Sequence, residues 1–212
     1  MISTKLFMFD LDGTLINSAQ DICNSANKVL SGGGKREINE HEIRALIGLP
    51  AAEIFFHVGI NDLAENQSYV SKFRAHLAET GGSPEIVYPG VTEALSELVS
   101  RGNTLYVVTN KPAALAVTVL RRSGILHHFT TVQGSDGIAP KPSPQGILRC
   151  VRNSGFSNVE AVMIGDSPVD IKAAKAAGCS SIGVAYHDEI RDALVDSNPD
   201  KIVGSLQELV QS

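Results

Sequence analysis

The sequence has 212 residues, of which 43% are hydrophobic and 19% are charged, so its composition is that of a globular protein with room for a core. A net charge of −5 offers no broad cationic surface, and we expect no nucleic-acid partner. No apolar run approaches the roughly 20 residues that cross a bilayer, so we expect no membrane partner and no secretion. Three widely spaced cysteines argue against a disulfide framework, which makes the cytoplasm the expected compartment.

Strand and helix patterns alternate over most of the chain. Short apolar runs predict buried parallel strands at 6–9, 105–108, 161–164 and 181–185, with a weaker candidate at 129–132 and an edge strand at 201–203. Between them, apolar residues recur at helical spacing, and these helices end near glycines 102, 124, 155 and 178. Such alternation is typical of a parallel sheet with helices on both faces. We therefore predict a doubly wound, Rossmann-like α/β core.

The interval 16–84 interrupts this alternation directly after the first strand. Its apolar residues recur at helical spacing, in groups at 22–30, 43–47 and 70–77, and no clear second strand follows the first. Ser18, with Asp21 three residues later, predicts a capping box at the start of the first helix. We expect residues 16–84 to form a small helical cap, hinged at 16–18 and 81–84. The core domain would then comprise residues 1–15 and 85–212.

The most informative segment is the end of the first predicted strand, which is followed by Asp10, Asp12, Gly13 and Thr14. An apolar strand delivers Asp10 to its carboxyl end, where open α/β sheets bind ligands, and Asp12 returns to the same side two residues later. Gly13 allows a tight turn whose amide groups can face a phosphate, so we count Gly13 and Thr14 as candidate substrate-binding residues. An isolated Asp-x-Asp is more often a polar turn, and the other motifs must decide between these interpretations.

A second acidic segment follows the strand predicted at 161–164. Asp166 ends this apolar strand as Asp10 ends the first, whereas Asp170 can instead complete a capping box with Ser167. Three carboxylates that meet at one sheet edge would repel one another unless a hard cation shared their oxygens. The sequence therefore predicts a Mg²⁺ site among Asp10, Asp12, Asp166 and Asp170.

Two further segments supply hydrogen-bond donors and a cation. Thr109 and Asn110 follow the second predicted strand, where a hydroxyl and an amide could hold substrate oxygens, although a threonine at a strand end is often only structural. Lys141 lies between two prolines that restrict its backbone, and an ordinary exposed loop lysine is the alternative. Arg44, on a predicted helix before a Gly-Leu-Pro loop, is either a substrate contact or a solvated helix residue.

The order of these motifs resembles that of the haloacid dehalogenase superfamily of phosphotransferases, over nearly the whole chain. The matching residues are Asp10, Asp12, Thr109, Lys141, Asp166 and Asp170. The resemblance implies that Asp10 attacks phosphorus to form an aspartyl-phosphate, that Asp12 acts as acid and base, and that Thr109 and Lys141 bind phosphoryl oxygens. It also implies Mg²⁺ held by Asp10, the backbone carbonyl of Asp12 and Asp166. Asp170 would then touch the metal through water or orient Lys141.

Within the superfamily, the segments 88–91 and 109–112 and the overall length look most like those of phosphoglycolate phosphatases. The resemblance implies a Mg²⁺-dependent phosphatase of a small phosphorylated metabolite, with 2-phosphoglycolate as the leading substrate. A sugar phosphomutase of the β-phosphoglucomutase kind, and a pyrophosphatase or nucleotidase of the same fold, remain alternatives because the motifs do not show whether the cap excludes water. A dehalogenase is disfavoured because a halide leaving group needs no acid such as Asp12. The intact motifs disfavour a non-enzymatic scaffold, and the sequence does not indicate an oligomeric state.

Overall fold

The computed structural model describes residues 5–83 and 86–211. The strands of this part of the chain are β1 (Leu6–Phe9), β2 (Thr104–Val108), β3 (Thr131–Gln133), β4 (Ala161–Gly165), β5 (Ser180–Val184) and β6 (Lys201–Val203). They form one parallel sheet in the order β3-β2-β1-β4-β5-β6. The prediction of a doubly wound α/β fold is confirmed.

Helices surround the sheet and also follow β1 directly. They are α1 (Ala19–Gly32), α2 (Glu40–Arg44), α3 (Ala52–His57), α4 (Leu63–Thr80), α5 (Val91–Ser100), α6 (Ala113–Arg122), α7 (Gln145–Ser154), α8 (Pro168–Ala177) and α9 (Asp188–Ser197). None of the helices described is both long and apolar enough to cross a membrane.

The two faces of the sheet are covered by different helices because successive side chains of a strand point to opposite sides. On one face, Leu6 and Met8 of β1 pack in a cluster with Ile147 of α7 and with residues of α8. On the other face, Phe9 and Val107 pack in a second cluster with residues of α5 and α6. Full burial of each large apolar side chain contributes about 1.5–3 kcal/mol to the free energy of unfolding. This packing therefore holds the strands, and with them the residues at their carboxyl ends, in position.

The strand order reverses beside β1. The chain runs from β1 outward through β2 to β3, and then crosses to β4 on the other side of β1. In this register Phe9 lies opposite Val107 of β2 and Ile164 of β4, so the residues that follow these three strands emerge at one height. Open α/β sheets bind ligands at such a reversal, at the carboxyl ends of the strands.

Most predicted strands agree with the structure to within a residue or two, and the largest difference is at the weak candidate. The strand expected at 129–132 is found as β3, because Leu126–His128 form a short 3-10 helix before it. Phe129 is not in the strand and instead packs edge-on against the ring of Phe9. Helices α3 and α9 were not predicted, since α3 has only 6 residues and α9 is dominated by polar residues.

Between β1 and α5 the described chain is helical, as the sequence predicts. Helices α1 and α4 pack together in one apolar cluster through residues such as Ile22, Leu30 and Phe73. The chain enters and leaves this segment side by side, since the Asn17 amide donates a hydrogen bond to the Ile86 carbonyl oxygen. The far end of the expected hinge, Pro84, and the domain boundary between 84 and 85 lie outside the described residues. The division of the chain into core and cap domains stays a prediction.

The capping box predicted at Ser18 is wrong. Ser18 is the N-cap residue of α1, but its buried hydroxyl makes no hydrogen bond. Asp21 Oδ2 instead accepts a hydrogen bond from the Gly82 amide at 3.0 Å, which ties the start of the helical segment to the returning chain. A capping box does form at α2, where the Asn39 side chain and the Glu42 amide, and the Glu42 side chain and the Asn39 amide, are hydrogen-bonded.

This difference predicts opposite outcomes for two alanine substitutions. Asn39→Ala should lower the free energy of unfolding by about 1 kcal/mol, the usual cost of losing an N-cap. Ser18→Ala removes a buried hydroxyl without a partner, so the free energy of unfolding should stay the same or rise. Urea denaturation of both variants measures this, and a loss of about 1 kcal/mol in Ser18→Ala would contradict the structure.

Candidate active site

The loops that follow β1, β2 and β4 meet at one edge of the sheet. Asp10 and Asp12 come after β1, Thr109 after β2 and Asp166 after β4. All four residues are buried, with exposed fractions of the whole residue between 1% and 8%. Polar and ionisable groups are seldom buried together in an ordinary core, so this cluster is the candidate active site.

Three of the predicted acids form a compact group. Asp10, Asp166 and Asp170 each place a carboxylate oxygen within 4.8 Å of the others. Gly13 (φ +83°) turns the chain against Asp166, where a Cβ would lie 2.1 Å from Asp166 Oδ2. The Thr14 hydroxyl donates a hydrogen bond of 2.7 Å to Asp166 Oδ1. Gly13 and Thr14, which we predicted as substrate contacts, therefore shape the carboxylate group in this structure.

Lys141 reaches this group from the loop before α7. Its Nζ atom lies 2.9 Å from Asp10 Oδ1, and it donates hydrogen bonds to Asp170 Oδ1 at 2.6 Å and to the Val108 carbonyl oxygen at 2.9 Å. Asp170 Oδ2 accepts hydrogen bonds from the amide and hydroxyl of Ser167, in the predicted capping box that begins α8. Both oxygens of Asp170 are therefore engaged, in an arrangement that orients Lys141.

The surroundings change the proton affinity of these groups. Burial raises the pKa of Asp10 to about 7, with a contribution from Asp170 and against the opposing charge of Lys141. Burial, Asp170 and Asp10 raise the pKa of Asp166 well above its ordinary value. Burial alone would lower the pKa of Lys141, but the neighbouring Asp10 and Asp170 carboxylates outweigh it and raise the pKa. One lysine does not balance three acids, so the group is short of positive charge.

A divalent cation fits this shortage of charge. Asp10 Oδ1 is buried, and its one positively charged neighbour among the described residues is the Lys141 ammonium at 2.9 Å, which leaves room for a further positive charge on this oxygen. Hard cations such as Mg²⁺ take carboxylate oxygens as ligands. Asp10 and Asp166 are the residues best placed to hold such an ion, since the oxygens of Asp170 already have partners.

The carboxylate of Asp12 is directed away from this group. Its Oδ1 atom lies 2.7 Å from Lys111 Nζ, and both side chains are about nine-tenths buried, with exposed fractions of 11% and 7%. Our prediction of Asp12 as a metal ligand can therefore apply only to its backbone carbonyl. Lys111 was missing from our candidates, and the available signal was its position directly after Thr109 and Asn110.

The site opens into a cavity of about 50 Å³ between the sheet edge and helices α1–α4. Asp10, Asp12, Thr109 and Lys111 line it on the side of the sheet. The helical segment contributes mainly apolar side chains, among them Ile43, Leu46, Ile54, Phe73 and Leu77, together with the guanidinium-bearing Arg74. The cavity therefore has one polar and one largely apolar wall.

Asn110 joins three parts of the site. Its Nδ2 atom donates hydrogen bonds to the carbonyl oxygens of Gly48, at 2.7 Å, and of Lys141, at 3.1 Å. Its Oδ1 atom accepts a hydrogen bond from the Lys141 amide at 2.7 Å. The amide that we predicted to bind substrate is thus occupied with backbone groups of the helical segment and of the Lys141 loop.

The structure does not bring Arg44 to this cavity. One of its terminal nitrogens, Nη2, lies 2.5 Å from Glu40 Oε1, and Arg44 lines a separate cleft with Glu40, His41 and His187. Its predicted contact with substrate stays a prediction that this geometry does not favour.

Comparison with known proteins agrees with the fold and the motifs. Residues 7–184 match the family model described as haloacid dehalogenase-like hydrolase. The chain is 33% identical to a phosphoglycolate phosphatase of Vibrio parahaemolyticus, in an alignment covering 98% of this chain and 95% of that relative. It also resembles the crystal structure of a "predicted phosphoglycolate phosphatase" from Haemophilus somnus, with TM-score 0.87, 28% identity and coverage of 98% and 97%. A β-phosphoglucomutase from Clostridium difficile shares the fold, with TM-score 0.80, 19% identity and coverage of 97% and 93%. The chain therefore belongs to the haloacid dehalogenase-like hydrolase family.

Proposed function

We propose that this enzyme hydrolyses a small phosphomonoester through an aspartyl-phosphate on Asp10, and that its substrate is 2-phosphoglycolate. The observation that carries the proposal is the meeting of Asp10, Lys141 and the acid Asp166 at a sheet edge that faces a cavity. The relatives named phosphoglycolate phosphatase support the choice of substrate.

Asp10 is the proposed nucleophile. Attack of its carboxylate on phosphorus forms the Asp–phosphate bond and breaks the bond to the leaving alkoxide, which divides one difficult displacement into two. Bound Mg²⁺, held by Asp10 and Asp166, would supply positive charge that offsets the repulsion between the carboxylate and the phosphate dianion. The Lys141 ammonium, 2.9 Å from Asp10, holds the carboxylate in place and can stabilise the phosphoryl oxygens during transfer.

Thr109 is the proposed hydrogen-bond donor to the phosphoryl group, and Asp12 is the proposed acid and base. The Thr109 hydroxyl accepts a hydrogen bond from the Lys111 amide at 3.2 Å, which leaves its own proton to donate to a phosphoryl oxygen. Asp12 lines the cavity two residues beyond Asp10, where it can protonate the leaving oxygen and later take a proton from the attacking water. The ion pair with Lys111 orients the ionised Asp12 that takes the proton from water in the second step, whereas Asp12 has to carry a proton to act as the acid in the first.

We also propose that residues 16–84 act as a cap that opens between the two steps. A cavity of about 50 Å³ has room for only a few water molecules, so a phosphate ester requires α1–α4 to move away from the sheet edge. Opening then admits the water that hydrolyses the aspartyl-phosphate. A sugar phosphomutase must instead retain this intermediate while its product turns around.

The cytoplasm remains the proposed compartment, because Cys23, Cys150 and Cys179 are all free.

The first test is removal of the proposed nucleophile. Asp10→Asn keeps the shape of the side chain and removes its charge, so turnover should fall by several orders of magnitude while the fold survives. Asp62→Asn makes the same chemical change at the N-cap of α4, where asparagine caps equally well, and should keep full activity. Phosphate release and thermal unfolding are measured for both variants, and normal turnover by Asp10→Asn would refute the assignment.

The second test concerns the metal and uses stability. Because the pKa of Asp10 is raised from 3.8 to about 7 and that of Asp166 is also raised, the folded protein binds protons more tightly than the unfolded chain. In chelator, the free energy of unfolding should therefore fall as the pH rises through this range. Added Mg²⁺ at neutral pH should restore stability in the parent but much less in Asp166→Asn, whose pH dependence should also be flatter. An equal rise in Tm with Mg²⁺ in both proteins would remove Asp166 from the metal site.

The third test separates hydrolysis from phosphoryl migration. Inorganic phosphate is followed with Mg²⁺ for 2-phosphoglycolate, pyrophosphate, hexose phosphates and nucleotides, alongside the isomers of each hexose phosphate. We expect phosphate release to be fastest from 2-phosphoglycolate. Isomerisation of a hexose phosphate with negligible phosphate release would overturn the proposal in favour of a mutase.

A further inference from the structure

Arg74 of α4 is a cationic residue of the cavity wall that the proposed chemistry does not use. Its side chain lines the same cavity as Asp10, Asp12 and Thr109. Its buried Nε atom donates no hydrogen bond to the described residues, and among them no carboxylate pairs with its guanidinium. A buried donor on a charged group raises the free energy of the protein when it has no acceptor. A ligand that accepts a hydrogen bond from Arg74 would remove this cost.

The other cations around the site are already neutralised within the chain. Lys141 is paired with Asp10 and Asp170, and Lys111 with Asp12. Arg44 is paired with Glu40 and faces a different cleft. Within the described structure, Arg74 is thus the cavity cation whose charge has no counterpart.

The position of Arg74 indicates which part of a substrate it would meet. Phe73, Arg74 and Leu77 line the cavity from α4, in the wall that the helical segment contributes. The groups that would hold the reacting phosphate, Thr109 and Lys141, belong instead to loops of the sheet edge. A substrate whose phosphate lies at the sheet edge would therefore turn its other end towards α4.

We propose that Arg74 binds an anionic group at the end of the substrate remote from the reacting phosphate, and that this group is a carboxylate. The inference rests on the proposed function, since it requires the phosphate to lie at Asp10. A guanidinium offers parallel N–H donors that match the two oxygens of a carboxylate. The apolar neighbours Phe73 and Leu77 strengthen such a pair by excluding water. A second phosphate group shares this chemistry, but the single positive charge of Arg74 matches a carboxylate monoanion better than a phosphate dianion.

This role makes Arg74 a specificity-determining residue. The hydroxyl-bearing end of a sugar phosphate can accept a hydrogen bond from Arg74 but has no negative charge to pair with its guanidinium. A small phosphorylated acid satisfies it. Arg74 therefore selects phosphorylated acids over sugar phosphates by the charge at the far end of the ester.

The test compares three two-carbon esters that differ in the group at that end: 2-phosphoglycolate with a carboxylate, ethylene glycol bisphosphate with a second phosphate, and 2-hydroxyethyl phosphate with a neutral hydroxyl. Arg74→Gln should lower kcat/KM about 10- to 100-fold on the anionic esters, mainly through KM, because one charge-assisted pair is lost. On 2-hydroxyethyl phosphate the change should stay within about threefold. Arg74→Lys keeps the charge without the paired donors and should recover part of the loss.

Lys28→Gln is the matched control, since it removes an exposed charge from α1 and should leave all three esters unaffected. Inhibition by inorganic phosphate should be unchanged in Arg74→Gln, because phosphate binds at the sheet edge. Thermal unfolding reports whether the variant folds, and Arg74→Lys carries the comparison if Arg74→Gln does not.

The possible outcomes are distinct. A loss confined to the anionic esters supports the inference, and faster hydrolysis of 2-phosphoglycolate than of the bisphosphate by the parent supports the carboxylate. Equal losses on all three esters, or no loss, would overturn the role of Arg74 while hydrolysis by Asp10 still stands. A parent enzyme that prefers the bisphosphate would overturn the carboxylate. Failure of the parent to hydrolyse any of the esters would overturn the proposed function and this inference with it.

Discussion

The contact of the buried Lys141 ammonium with Asp10, Asp170 and the Val108 carbonyl oxygen is the interaction on which the rest of the site depends. These partners come from the end of β1, the start of α8 and the end of β2. One cation thus joins three elements that lie far apart in the sequence. Without it, two carboxylates would face each other in a region of low polarity, where like charges repel most strongly.

Much of the core and of the sheet edge could be predicted because both follow local patterns. An apolar run followed at once by an acid marks Asp10 and Asp166, and parallel pairing on either side of the reversal brings such strand ends together. The resulting contacts join residues far apart in the chain, as in the hydrogen bond between Thr14 and Asp166, which are 152 residues apart. The motifs could therefore be placed on one edge before the fold was known.

The helical segment was harder to predict because its residues are used in tertiary contacts that leave no local pattern. Ser18 and Asp21 have the spacing of a capping box, yet Asp21 bonds the Gly82 amide, 61 residues away. The sequence suggests Arg44 as a substrate contact because it precedes a Gly-Leu-Pro loop, but in the structure Arg44 forms an ion pair with Glu40, one helical turn earlier. In the sequence, Arg74 looks like an ordinary polar residue of an amphipathic helix. Only the structure shows that it lines the cavity. Local sequence propensity determines where these helices form, whereas tertiary packing determines which contacts their side chains make.

The hydrogen bonds of Asn110 couple the helical segment to the loop that carries Lys141. The same amide holds the Gly48 carbonyl of the helical segment and both backbone groups of Lys141. A displacement of the segment by more than the length of a hydrogen bond would break the first contact and leave the amide anchored by the Lys141 loop alone. The position of the helical segment and the loop that carries Lys141 therefore depend on the same Asn110 amide, and Lys141 in turn contacts Asp10.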